Sequence, residues 1–209
     1  MIGNLYRAGS TYNTCPIEVL DHDFPSLAEG VAIPHGLYDV AENIGFIQIG
    51  TSHDTSEFAC DSIRYWWDNY GKNRYPLASS ILILCDGGGS NSSRYYVFKE
   101  ALQKLVNHIG IEIRIAHYPP YTSKYNPIEH RLFPHLSRAC QGVIFESVDT
   151  VSKFMATATT LKGLRVFTTI LDRTYKTGQK VAEGFKETME IFFDDSLPQW
   201  NYTAKPQPS

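Results

Sequence analysis

The sequence contains no run approaching the roughly 18 uninterrupted apolar residues that a membrane-spanning helix needs, so a membrane role is not expected. Its four cysteines, Cys15, Cys60, Cys85 and Cys140, form no C-x-x-C pair. That excludes a zinc ribbon or dithiol redox motif and points to reduced intracellular thiols. A basic excess is also missing: 19 Lys and Arg stand against 22 Asp and Glu, for a net charge of -3. Bulk electrostatics therefore do not hold nucleic acid, and any DNA contact must be local or come from another domain. The start, Met1-Ile2-Gly3-Asn4-Leu5-Tyr6-Arg7, lacks a basic region followed by an apolar stretch and a small-residue cleavage site, which makes the cytoplasm the expected location. There is no internal repeat and no low-complexity tract. What is present is 209 residues with 43% apolar and 13% aromatic content, enough for a buried core in one large domain or one domain with a tail.

Residues 1–35 carry many breakers, among them Gly3, Gly9, Pro16, Pro25, Gly30 and Pro34, and read as an irregular lead-in. Residues 36–40 and 46–50 are β-branched and aromatic around a turn-rich connection, which predicts an antiparallel hairpin. Asp54-Thr55-Ser56-Glu57 reads as a capping box, and Phe58, Ala59, Ile63, Trp66, Trp67 and Tyr70 follow at helical spacing. Ile81-Leu82-Ile83-Leu84-Cys85 is a continuous apolar run ended by Asp86, the pattern of a central strand buried on both faces. Ser92 or Ser93 is placed to cap a helix that stops at Gly110, and alternation of Ile111, Ile113 and Ile115 predicts a half-buried strand up to His117. Asn126-Pro127-Ile128-Glu129 opens a further helix. Beyond it, residues 148–161 are expected as a helix, 166–171 as a strand, 181–193 as a last helix, and 198–209 as a polar C-terminal tail, an arm or frayed end. The order predicts an α/β architecture, a mixed sheet covered by helices, over residues 36–197.

Asp86 sits where a strand ends, the place at which open α/β sheets bind ligands, although Asp-Gly also starts ordinary turns. Gly87-Gly88-Gly89 leaves the backbone bare beside it, and Ser90, Asn91 and Ser92 supply donors near an expected helix N-terminus, which suits phosphate. Neither a Walker lysine nor G-x-G-x-x-G is present. Glu129 has a purely structural reading as the last residue of a capping box that reaches back to the Asn126 amide. Against it stands the approach from Pro119 to Pro127, rich in hydroxyls and aromatics, with Lys124 suited to a nucleic-acid backbone. A strand-end Asp and a helix-start Glu can meet across a sheet end and clamp a hard divalent cation. His130 and His135 are five positions apart, about 140° around a helix, and H-E-x-x-H is absent, so His117, His130 and His135 read as structural residues, or as supports standing behind a site, rather than as zinc ligands. Asp39 reads as a turn residue, Asp54 as a helix cap, and Trp66 and Trp67 as core and rim.

The string Leu84-Cys85-Asp86-Gly87-Gly88-Gly89-Ser90-Asn91, then Pro119-Pro120 and Thr122-Ser123-Lys124-Tyr125-Asn126-Pro127-Ile128-Glu129-His130-Arg131-Leu132-Phe133, resembles the DDE transposases of bacterial insertion sequences, and within them the Rhodopirellula-type branch. The resemblance extends through His22-Asp23-Phe24, Ile33-Pro34-His35-Gly36-Leu37-Tyr38-Asp39-Val40, His53-Asp54-Thr55 and Trp200-Asn201-Tyr202. It implies a ribonuclease H-like fold, with Asp86 and Glu129 as the second and third catalytic acids, 43 positions apart. It further implies that both bind magnesium, with manganese as a substitute, and that the reaction is DNA strand cleavage and transfer at transposon ends. Lys124, Asn126, Ser90 and Asn91 would contact DNA. In that family the first catalytic Asp and a lysine-rich run precede the segment matching Met1-Ile2-Gly3-Asn4-Leu5. The chain as written is therefore expected to lack the first central strand, and with it activity on its own.

Three functions remain in view at this level: a transposase catalytic domain, nucleoid-associated when on DNA; an inactive remnant that binds DNA or assembles with itself or full-length transposase; and an unrelated metal-dependent phosphohydrolase using Asp86.

Overall fold

A computed structural model describes residues 1–20 and 25–208. His22, Asp23 and Phe24, part of the resemblance, lie outside the described residues. In chain order the elements are β1 (Ile33–Asp39), β2 (Ile44–Gly50), α1 (Ser56–Trp66), α2 (Lys72–Arg74), β3 (Ser80–Asp86), α3 (Tyr96–Ile109), β4 (Glu112–Tyr118), α4 (Ile128–Arg131), α5 (Phe133–Ala139), α6 (Val148–Ala156), β5 (Arg165–Leu171), α7 (Phe185–Thr188), β6 (Ile191–Phe193) and β7 (Asn201–Ala204). They build a mixed α/β protein whose strands form two mixed sheets, β1-β2-β5 and β3-β4-β7-β6, rather than the single sheet expected. The physical reason is that no described strand pairs with both β2 and β3. No helix among the described residues is long and apolar enough to cross a membrane.

The chain divides into two compact units, Met1–His53 with Pro127–Thr174, and Asp54–Asn126 with Tyr175–Ser209. In the first, β1 and β2 form the expected antiparallel hairpin, and β5 adds to β2 in parallel. Asp39 Oδ1 accepts from the Ala41 and Glu42 amides, both at 3.0 Å, the local turn role read from sequence. Ile47 and Ile49 on β2 pack with Leu132, Leu136, Val151, Leu164 and Val166. The lead-in is irregular yet anchored. Ile2 bridges to Gly30, Leu5 bridges to Leu20, and the Ile2 and Leu5 side chains are buried. Helix α6 starts at a Ser147 cap and ends at Ala156, short of the expected residue 161, because Thr157 to Thr160 already turn toward β5.

In the second unit, β3 and β4 run parallel with α3 between them in sequence, and β7 pairs antiparallel with both β4 and β6. Helix α1 is capped by Thr55, whose side chain accepts from the Phe58 amide, so Asp54 is not the cap. Helix α3 ends as expected at Gly110, which takes the left-handed conformation (φ 74°) that closes a helix cheaply only with glycine. Its start is not capped by Ser92 or Ser93. Tyr95 occupies the cap without a side-chain bond, and both serines are buried. The expected last helix over 181–193 is a four-residue helix followed by β6, because Gly184 (φ 74°) precedes Phe185 and Met189 turns to extended backbone. The expected C-terminal arm contains β7, with Tyr202 1% and Ala204 0% exposed.

Strand β3 is the main departure. It is an edge strand, paired among the described strands with β4 alone, and Leu82 (60%) and Leu84 (44%) are exposed. A continuous apolar run does not distinguish a strand covered on two faces from one carrying an uncovered apolar face. An edge with no Pro, Lys or bulge invites pairing with another chain. Leu82→Lys is expected to reduce self-association in sedimentation velocity without lowering the melting temperature; self-association equal to that of the parent chain would contradict this reading of the edge.

Candidate active site

The candidate site begins at the carboxyl end of β3. Asp86 is exposed there, and its carboxylate takes no hydrogen bond or ion pair from the described residues. Its main chain is held firmly. Nδ1 of His117, on β4, lies 2.9 Å from the Asp86 carbonyl oxygen. A carbonyl only accepts, so Nδ1 carries the proton, and Nε2 accepts from the Tyr202 hydroxyl at 2.9 Å. Burial lowers the His117 pKa, opposed in part by the bond to Asp86, so the neutral ring matches this single tautomer. His117 thus holds the main chain at Asp86, which agrees with its reading as a structural residue or a support behind a site rather than a zinc ligand. The neighbouring Cys85 thiol is pushed up to about 12 by burial and by Asp86, which keeps it protonated and unreactive.

The glycine loop follows. A side chain on Gly87 would approach the Trp200 ring at 3.1 Å, so this position needs its lack of Cβ. Gly89 takes φ 57°, and the Asp54 carboxylate lies 3.7 Å from where its Cβ would stand. Ser90 and Asn91 are half-buried in a short 3-10 turn, where the Ser56 hydroxyl donates to the Ser90 carbonyl at 2.8 Å. Because α3 starts only at Tyr96, the helix N-terminus expected beside Ser90, Asn91 and Ser92 does not abut them. At the far end of the loop the Lys99 ammonium donates to the Ser93 carbonyl at 2.7 Å. Lys124 is exposed, with Nζ 5.2 Å from the Tyr125 ring, and Asn126 is buried.

Glu129 sits in α4. The capping box does not form: Pro127 is the cap residue, α4 has no side-chain cap bond, and the Asn126 amide donates to the Ser123 carbonyl at 2.8 Å. The half-buried Glu129 carboxylate has no hydrogen bond or ion pair to the described residues. Two glycines on the hairpin position its helix. A Cβ on Gly36 would meet the Phe133 ring at 2.8 Å and Ile128 at 3.5 Å, and one on Gly45 would collide with Leu132. Strand glycines at a close packing contact were the sequence signal for this seat, which periodicity alone passes over.

The two acids lie in different units: Asp86, Ser90, Asn91, Lys124 and Asn126 in one, Glu129 in the other. No group of three or more His, Cys, Asp or Glu able to hold a metal is found among the described residues. The residues that sequence reasoning missed are Tyr202, which reaches His117 from far along the chain, and Lys99, which folds back from the first turn of α3 onto the Ser93 carbonyl.

Two outcomes follow. Gly45→Ala is expected to destabilise the protein by about 1–3 kcal/mol in denaturant melts, because Leu132 is fully buried and its neighbours must shift. The second concerns Lys99, which is 3% exposed and faces Tyr96, Tyr202 and His117, with no carboxylate partner among the described residues. Burial lowers its pKa from 10.5 to about 8. The unfolded chain therefore binds the extra proton between those values, and stability rises with pH across that window. Relative to Lys99→Met, the parent chain should gain melting temperature from about pH 7 to about pH 10. A difference constant with pH would contradict it.

Comparison with known proteins places the chain in a family. No match exists among curated proteins or solved structures. The Rhodopirellula transposase DDE domain matches residues 1–206, nearly the whole chain. The strand-end Asp86 and helix-start Glu129 therefore stand in a chain that belongs to the Rhodopirellula transposase DDE domain family.

Proposed function

We propose that the chain acts in DNA transposition through metal-dependent strand cleavage and transfer at transposon ends, with a ribonuclease H-like fold and with Asp86 and Glu129 as carboxylate ligands. One observation carries the reading: both carboxylates stand without a partner among the described residues, one at a strand end and one in a first helical turn whose capping role is vacant. Such oxygen donors fit a hard cation, and magnesium is commonly held by one or two carboxylates with the remaining positions left to water and phosphate oxygens. When bound, the cation would lower the pKa of an attacking water or hydroxyl and stabilise charge on the scissile phosphate. Asp86 and Glu129 would supply carboxylate oxygens. Lys124 contacts a DNA phosphate, a role that does not depend on base sequence, while Ser90, Asn91 and Asn126 contribute polar contacts to the backbone. The net negative charge assigns bulk DNA affinity elsewhere.

A second reading, an inactive domain that binds and assembles, draws on the lack of a three-ligand cluster among the described residues and on the open β3 edge. Manganese binding, followed by electron paramagnetic resonance, separates the two. Asp86→Asn and Glu129→Gln should each weaken manganese affinity by about tenfold or more at unchanged melting temperature, since each removes a charged ligand worth at least about 1.4 kcal/mol. Magnesium-dependent nicking of terminal-repeat DNA, with no turnover of small phosphoesters, would exclude a general phosphohydrolase. No manganese binding by the parent chain, with self-association or DNA binding retained, would overturn the catalytic reading in favour of the second.

A further inference from the structure

The loop 86–93 begins and ends on one buried cluster. At its start the Asp86 carbonyl accepts from His117, and at its end the Ser93 carbonyl accepts from Lys99. Tyr202 joins the two: its hydroxyl meets His117 Nε2, and its ring centre lies 4.7 Å from the Lys99 ammonium. Phe193, on β6, closes the cluster 5.9 Å from both the Tyr202 ring and the ammonium. Burying a lysine charge without a carboxylate is costly, and an apolar residue of the same length would fill the space without that cost. In return the ammonium makes a charge-assisted bond to one backbone carbonyl, at the one loop that carries Asp86.

We propose that His117, Tyr202 and Lys99 are positioning residues that clamp both ends of loop 86–93 and thereby fix the direction of the Asp86 carboxylate. The inference rests on the reading of Asp86 as a metal ligand and adds residues that work through it. None of the three touches the reacting atoms. The clamp spans α3, β4 and β7, so the loop is held by three elements that the rest of the unit already fixes.

The test combines amide hydrogen exchange of the metal-free chain with manganese affinity. Lys99→Met and Tyr202→Phe keep volume and remove one clamp bond each. Both should speed exchange of the 87–92 amides by about tenfold, leave exchange in β4 and α3 unchanged, and weaken manganese affinity several-fold. The melting temperature should hold, or rise for Lys99→Met. His117→Asn retains a donor near the Nδ1 position and should rescue loop protection and affinity relative to His117→Phe. Loop exchange equal to that of the parent chain overturns the clamp, as does uniformly faster exchange across the unit, which marks a purely structural role. Faster loop exchange with unchanged manganese affinity overturns the positioning role. If Asp86→Asn itself leaves manganese affinity intact, the functional reading fails, and the exchange measurement alone then decides the clamp.

Discussion

The His117 imidazole is the joint on which the Asp86 site depends. It stands near the end of β4, donates to the last carbonyl of β3 and accepts from Tyr202 on β7, so one buried ring ties three strands together at the carboxyl end of β3. Alternation along β4 puts it on the same face as Ile113 and Ile115, both fully buried, which is why the ring is inside at all. Leaving either ring nitrogen unpaired there would cost about 1–3 kcal/mol. The Asp86 side chain, in contrast, is exposed and takes no bond from the described residues. A fixed backbone beneath a free carboxylate is the arrangement a ligand site needs.

Glu129 is placed by a different constraint, the closeness with which a helix can approach a strand. Gly36 and Gly45 remove the side chains that would hold α4 and α5 away from the hairpin, and Leu132 and Phe133 fill the space. The helix break at Leu132 follows from this seating: its side chain is buried against β2 while α4 and α5 meet at a non-helical residue (φ -126°). Glu129 is left half-buried, its carboxylate without a hydrogen bond or ion pair to the described residues.

Much of this was legible in the sequence where a signal is local. The hairpin, α1, α3 and β4 follow from period and punctuation, as do the strand-end place of Asp86 and the helix-start place of Glu129. What was not legible depended on distant partners. The apolar run of β3 reads alike for a covered and an uncovered strand, and its edge position depends on what lies beside it. Strand β7 has four residues among polar and proline positions, and its pairing partner β4 lies far back in the sequence. Asp54 and Thr55 both precede α1 with cap-competent side chains, and only backbone geometry chose Thr55. The capping box at Asn126 satisfied every local rule and still did not form, because the Asn126 amide was taken by Ser123. The cluster at Lys99 joins residues whose sequence separations run to 85 and beyond, outside any local pattern.

The central proposal is that Asp86 and Glu129 are carboxylate ligands for a divalent cation. The most direct measurement is manganese affinity, followed by electron paramagnetic resonance, for the parent chain, Asp86→Asn and Glu129→Gln. Each single variant should bind manganese about tenfold or more weakly than the parent chain, at an unchanged melting temperature. A variant that binds manganese as the parent chain does would contradict the proposal for that residue.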